Sequence, residues 1–169
     1  MMIREMLPSD WDSVLAIYKQ GVDSGKATFT TKCPTWEEWN AGHKSACRYV
    51  AVDDGEIVGF TAVSPVSAKP HYSGVVEVMV YIDEKHLHEG IGTGLLNKLI
   101  EEAPGNGFWC IYSSIYSSNE NSIKLHSKCG FRTIGYREHL AKDRFGNWTD
   151  TTMMEYRFPD EIVRDDVAE

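Results

Sequence analysis

The chain has 169 residues, 42% hydrophobic and 25% charged, with a formal net charge of −8 at neutral pH. This is the composition of an ordinary globular protein, long enough for one domain with a real core. The acidic balance argues against broad nucleic-acid binding, which needs a basic face. It leaves room for an anionic cofactor, because local backbone dipoles can overrule global charge.

Ile3 to Leu7 reads as a first strand, and Ser9 or Asp10 can cap the helix that follows. Trp11, Val14, Leu15, Ile17 and Tyr18 recur at helical spacing and carry that helix to about Val22. Lys26 to Pro34 is a loop with one aromatic, Phe29, which is either an anchor on the core or a wall of a substrate pocket. Thr35, with Glu38 three residues on, has the form of a capping box, and Trp36, Trp39 and His43 can share a face of the second helix. Arg48–Val52 and Glu56–Ser64 are strands joined by Asp53-Asp54-Gly55, a strong hairpin signal. Pro65 to Gly74 is an irregular loop carrying Lys69, His71 and Tyr72.

Val75 to Leu99 is the most informative stretch. A β-branched run is followed by a short polar segment and Gly90-Ile91-Gly92-Thr93-Gly94. An amphipathic helix follows, with Ile91, Leu95, Leu96, Leu99, Ile100 and Ala103 on one stripe. Strand, glycine loop and helix N-terminus together make an anion site from backbone N–H groups. The strand carries a single carboxylate, Glu77, which is either paired or functional. Phe108–Tyr116 is a further strand. Asn119 opens a fourth helix with Ile123, Leu125 and Cys129 as its apolar face and Gly130 at its C-cap. Phe131–Leu140 and Thr149–Phe158 are the last two strands, with Phe145-Gly146-Asn147-Trp148 in the turn between them.

The order β-α-α-β-β-β-α-β-α-β-β predicts an α/β (α+β mixed) fold, with parallel character around the central strand–helix–strand unit. One domain over 1–159 is expected, followed by an acidic tail over 160–169. No apolar run reaches the roughly 18 residues of a membrane span, and MMIREML lacks the apolar centre of a signal peptide. Cys33, Cys47, Cys110 and Cys129 form neither a CxxC pair nor a metal spacing. The expectation is a cytoplasmic protein with reduced thiols, no metal, and neither membrane nor nucleic acid as partner.

The motifs also resemble a known family. Glu77-Val78-Met79-Val80-Tyr81-Ile82, then Gly90-Ile91-Gly92, then Asn119 to His126, then Gly130-Phe131, resembles the GNAT superfamily of acyl-CoA N-acyltransferases. Ala27-Thr28-Phe29, Pro34-x-Trp36, Gly135 and Gly146-Asn147-Trp148-Thr149-Asp150 are similar to its phosphinothricin N-acetyltransferase group. That group includes enzymes acting on methionine sulfoximine and methionine sulfone. Five motifs in the right order, spanning about Ile3 to Phe158, are far more specific than a lone G-x-G.

The resemblance implies the GNAT fold, with a central, mostly antiparallel sheet flanked by helices. It implies an acetyl-CoA-dependent N-acetyltransferase acting on a small amino acid-like amine, and commonly a homodimer. It implies Glu77 as general base, acting directly or through water, and His126 as a general acid or a group stabilising the thiolate. Backbone groups of Met79, Val80 and Tyr81 would pair with the pantetheine arm. Leu87, His88, Glu89, Gly90, Ile91 and Gly92 would cradle the pyrophosphate, and Asn119 would hold the cofactor arm. Phe29, Lys69, Tyr72 and Arg144 are candidates for the acceptor site, a cation there pairing with a substrate carboxylate.

Leu87 stands where the family usually has Gln or Arg, and Thr30 where phosphinothricin enzymes often carry Arg. Main-chain N–H groups make most pyrophosphate contacts in the family, and His88 or Lys85 can supply a polar side chain in place of Leu87. No Cys sits in the motif core, so direct transfer is expected over an acyl-enzyme. The alternatives are a GNAT enzyme for a polyamine or a protein N-terminal amine, and a non-catalytic acyl-CoA-binding module.

Overall fold

Seven β-rich segments pair into one sheet in the computed structural model, which describes residues 1–163. They are β1 (Met2–Glu5), β2 (Tyr49–Asp53), β3 (Glu56–Pro65), β4 (Val75–Ile82), β5 (Cys110–Tyr116), β6 (Arg132–Lys142) and β7 (Trp148–Arg157), in the order β1-β2-β3-β4-β5-β7-β6. Every neighbouring pair is antiparallel except β4 with β5. The helices are α1 (Trp11–Ser24), α2 (Trp36–Gly42), α3 (Ile91–Glu102), α4 (Glu120–Lys128) and the short α5 (Asp160–Val163). The element order and the mostly antiparallel mixed sheet match the expectation. Of the acidic tail, Asp160–Val163 is helical, and positions 164–169 lie outside the described residues.

The pleat sorts side chains into two cores. Val76 and Val78 of β4 and Ile111 and Ile115 of β5 face α3, meeting Ile91, Leu95, Leu96 and Leu99. On the other face, α1 and α2 bring Val14, Ile17, Tyr18, Val22 and Trp39 against Val50, Phe60 and Ala62, with Met79 and Tyr81 packed alongside. The capping box at Thr35 forms as its sequence predicts: Thr35 Oγ1 accepts from Glu38 N–H, and Glu38 Oε2 accepts from Thr35 N–H. Trp36, Trp39 and His43 stack in succession.

Two boundaries differ for local reasons. β1 stops at Glu5 because Leu7 N–H turns to Asp10 Oδ2 (2.8 Å), and Arg4 clamps the same carboxylate with two hydrogen bonds (2.7 and 2.9 Å). β5 starts at Cys110 because Phe108 N–H closes the turn after α3 onto Ala103 O (3.0 Å). α4 packs the apolar face assigned to it on the core, with Cys129 buried at its C-cap. Within the helix His126 is buried, while Ile123 and Leu125 are partly covered.

Candidate active site

The site starts from a defect in strand pairing. β4 and β5 pair at three positions only, Val75–Cys110, Val76–Ile111 and Glu77–Tyr112. Both strands continue beyond, β4 held by β3 as far as Ile82 and β5 held by β7 as far as Tyr116. The sheet therefore splits into a wedge after Glu77. Along Val78–Ile82 the β4 edge facing the wedge lacks a strand partner, so its backbone groups are open to an extended ligand. A cleft of about 1410 Å³ occupies the wedge. It is walled by β4, the end of β5, the starts of α3 and α4, and the Lys26–Thr30 segment.

At one end of the cleft the chain leaves β4 through a turn and enters α3. His88 (φ 66°) and Gly90 (φ 80°) both take the left-handed conformation. Gly90 suits it, and a Cβ there would meet no atom within 4 Å. The N–H groups of Ile91, Gly92 and Thr93 have no acceptor in the described chain, as the first turn of a helix requires. The first helical bond runs from Gly94 N–H to Gly90 O (3.1 Å). Gly92 has a different cause: a Cβ there would lie 2.7 Å from Leu125 Cδ2, so its absence lets α3 approach α4. Met79, Val80, Tyr81, Leu87, His88, Gly90, Ile91, Gly92 and Asn119 all line the cleft, whereas Glu89 does not. Asn119 caps α4 by accepting from Ser122 N–H (3.2 Å), which leaves its NH2 group without a protein partner among the described residues.

Glu77 and His126 both line the cleft, but from opposite faces of the sheet. Glu77 alternates with Val76 and Val78, so its side chain belongs to the α1/α2 face, where Ser64 pairs across from it. It has no cation and no hydrogen-bond donor among the described residues, and burial raises its carboxyl above the ordinary range. His126 projects from α4 onto the α3 face and is 2% exposed. Its Nδ1 lies 2.7 Å from Ser122 O, so Nδ1 carries the proton. Nε2 therefore accepts from the Ser113 hydroxyl at 3.1 Å. Burial lowers the His126 pKa and holds the ring neutral.

The acceptor-site candidates separate. Phe29 lines the cleft, its ring 4.8 Å from that of Tyr116. Lys69 and Tyr72 sit on the exposed loop before β4, away from the cleft wall, where Tyr72 contacts His71. Arg144 is also off the wall. Its guanidinium donates to Val22 O (2.9 Å) and pairs with Asp23 (3.4 Å), strapping the β6–β7 turn to the end of α1. Sequence reasoning passed over Ser64, Ser113, Tyr116 and Thr151, all on the wall. The period-2 alternation along β5 is the signal that puts Ser113 beside α4 and Tyr116 on the opposite face. Among the described residues no group of three His, Cys, Asp or Glu side chains could hold a metal ion. No helix among them is long and apolar enough to cross a membrane.

A mixed sheet that opens between the parallel strands β4 and β5, with a glycine-initiated helix at the mouth of the opening, is the acyl-CoA N-acyltransferase fold. The chain belongs to the acetyltransferase (GNAT) family, whose family model matches residues 11–131, and it is accordingly an N-acetyltransferase. The phosphinothricin N-acetyltransferase of Streptomyces coelicolor is 33% identical over 162 residues, covering 90% of this chain and 94% of the relative. The structure of a ribosomal-protein-alanine N-acetyltransferase from Brucella melitensis superposes with a TM-score of 0.86 at 27% identity, covering 94% of this chain and 100% of the other. A phosphinothricin acetyltransferase from Sinorhizobium meliloti in complex with AcCoA superposes with a TM-score of 0.84 at 25% identity, covering 93% and 88%.

Proposed function

We propose that this chain transfers the acetyl group of acetyl-CoA directly to the amine of a small amino acid-like acceptor, with Glu77 as general base. The observation that carries this reading is the place of Glu77, an unpartnered carboxylate on the cleft wall at the last paired position before β4 and β5 part. Acetyl-CoA fits the open β4 edge and the unused N–H groups at the start of α3. Met79, Val80 and Tyr81 would hold its arm, Leu87, His88, Gly90, Ile91 and Gly92 its pyrophosphate, and the Asn119 NH2 its amides.

When bound, acetyl-CoA supplies an activated carbonyl and a thiolate leaving group. Glu77 takes one proton from the acceptor ammonium and frees the lone pair that forms the new C–N bond. The second proton released from nitrogen balances the leaving sulfur, which departs as the thiol. His126 is neutral and its Nδ1–H is engaged, so its part is to orient the Ser113 hydroxyl on the α3 face of the wedge.

An acceptor panel with detection of free CoA thiol tests the reading. Methionine sulfone, methionine sulfoximine and phosphinothricin are set against spermidine and peptides with N-terminal alanine. Turnover of the amino acid-like compounds alone is expected. Turnover of peptides alone would move the acceptor to a protein N-terminus, the reading favoured by the likeness to the Brucella enzyme. Thermal stabilisation by CoA with no transfer to any amine would make the chain a binding module.

The same reading includes a homodimer. β6 is an edge strand of 11 residues with Ile134, Tyr136 and Leu140 exposed, an unpaired apolar edge of the kind that a second copy covers. Light scattering should give a dimer for the native chain and a monomer for Tyr136→Asp. A native monomer at micromolar concentration would remove this part of the proposal.

A further inference from the structure

The α1/α2 face of the cleft holds two polar atoms that nothing among the described residues satisfies. Tyr116 is 4% exposed and Thr151 1% exposed, and the Tyr116 hydroxyl and Thr151 Oγ1 are buried without a hydrogen-bond partner. The two residues are directly paired across β5 and β7, so their side chains stand on one face. Both line the cleft. It is the face of Glu77, because Glu77 pairs with Tyr112, and Tyr116 lies two alternations further along the same strand. Phe29 covers the Tyr116 ring. A buried hydroxyl left unpaired is costly, and two of them side by side on a cleft wall mark a place where a ligand completes the bonding.

We infer that the hydroxyls of Tyr116 and Thr151 are the specificity-determining pair of the acceptor site, reading an uncharged oxygen at the end of the acceptor remote from its amine. This rests on the proposed N-acetyltransferase reading and names the acceptor within it. Both groups are neutral hydrogen-bond donors. Burial and the charge of Asp143 raise the Tyr116 hydroxyl and keep it protonated. The same Asp143 charge opposes an anion at that point. Of the cleft-lining residues on this side, Lys26 is the only lysine or arginine, and it is exposed. Arg144 is committed to α1. A sulfone, sulfoximine or carboxamide oxygen can accept from both hydroxyls. A carboxylate or phosphinate meets no cation there among the described residues. Phe29 would pack on the apolar segment between the two ends of such an acceptor.

The experiment measures equilibrium binding and turnover side by side. Calorimetry with the CoA-saturated protein compares methionine sulfone with phosphinothricin, and glutamine with glutamate. It is run on the native chain, Tyr116→Phe and Thr151→Val, variants that delete only a hydroxyl or replace it isosterically. The native chain should bind the neutral member of each pair at least about tenfold more tightly. Each variant should weaken that binding about tenfold and bring the pair close to parity. In turnover, KM for the neutral acceptor should rise by a similar factor, with a far smaller change in kcat and none in KM for acetyl-CoA. Because the deleted hydroxyls are unsatisfied, Tm should hold or rise, whereas a purely structural role predicts a fall. Preference for the charged member, no binding of either neutral ligand, or unchanged affinity in both variants overturns the inference. Absence of turnover with normal neutral-ligand binding would overturn the enzymatic reading and leave the binding pair standing.

Discussion

Replacing Glu77 by Gln should lower kcat/KM for the best acceptor by about 10²- to 10⁴-fold, the range lost with a positioned general base. The carboxylate sits where the wedge opens, and neither cation nor donor among the described residues stabilises its charge. Burial raises its pKa toward the range in which a base both accepts a proton readily and is ionised at neutral pH. The carboxylate is the active form, so activity should rise with pH through an acid limb lying above the ordinary carboxylate range. That limb should vanish from the residual activity of Glu77→Gln. The stability change should run the opposite way. A carboxyl raised in the folded state favours its protonated form, so the native protein gains stability as pH falls through the folded pKa. Glu77→Gln removes the penalty of a partly buried charge and should hold or raise Tm at neutral pH. Steady-state pH profiles and calorimetric melting on the two proteins check both statements. Full turnover by Glu77→Gln, with its acid limb intact, would exclude Glu77 as the base.

Much of the scaffold was legible because local chemistry and tertiary packing agree. The β-branched run of β4, the apolar stripe of α3 and the Thr35 capping box each announce the element they form. The cleft itself was less legible, because it depends on register. That Glu77 and His126 approach the wedge from opposite faces follows only once Glu77 is known to pair with Tyr112 and His126 to meet Ser113. Tyr116 and Thr151 come together through a ladder between β5 and β7 that no local signal specifies. Tyr72 and Lys69 looked close to Glu77 in sequence. The strand carries them to the paired end of β4, away from the open one. Arg144 looked like a free cation because its partners, Val22 and Asp23, lie more than 120 positions earlier in the chain.

Gly90→Val should damage coenzyme use without unfolding the protein. Gly90 sits at φ 80°, where a β-branched residue is strained by about 1–2 kcal/mol. That corresponds to a fall in Tm of roughly 2–8 °C for a chain of this size. The larger effect comes from the space around it. A Cβ at Gly90 meets no protein atom within 4 Å, so the valine side chain would stand in open space on the cleft wall, at the residue that precedes the unused N–H groups of α3. An anion bound there loses close backbone approach, and the helix terminus loses its access. KM for acetyl-CoA should rise about 10- to 100-fold, with a smaller change in kcat. At a fixed CoA concentration, tenfold weaker binding removes about 1.4 kcal/mol of ligand-induced stabilisation, read as a smaller Tm shift on adding CoA. Gly107→Val separates strain from site. Gly107 has a φ of 78° and equally open surroundings, but it lies in the turn after α3, away from the cleft wall. It should reproduce the fall in Tm of the ligand-free protein while keeping the native KM for acetyl-CoA and the full CoA shift. If both variants raised KM equally, the loop at the start of α3 would not be the pyrophosphate cradle, and coenzyme binding would have to rest on the β4 edge alone.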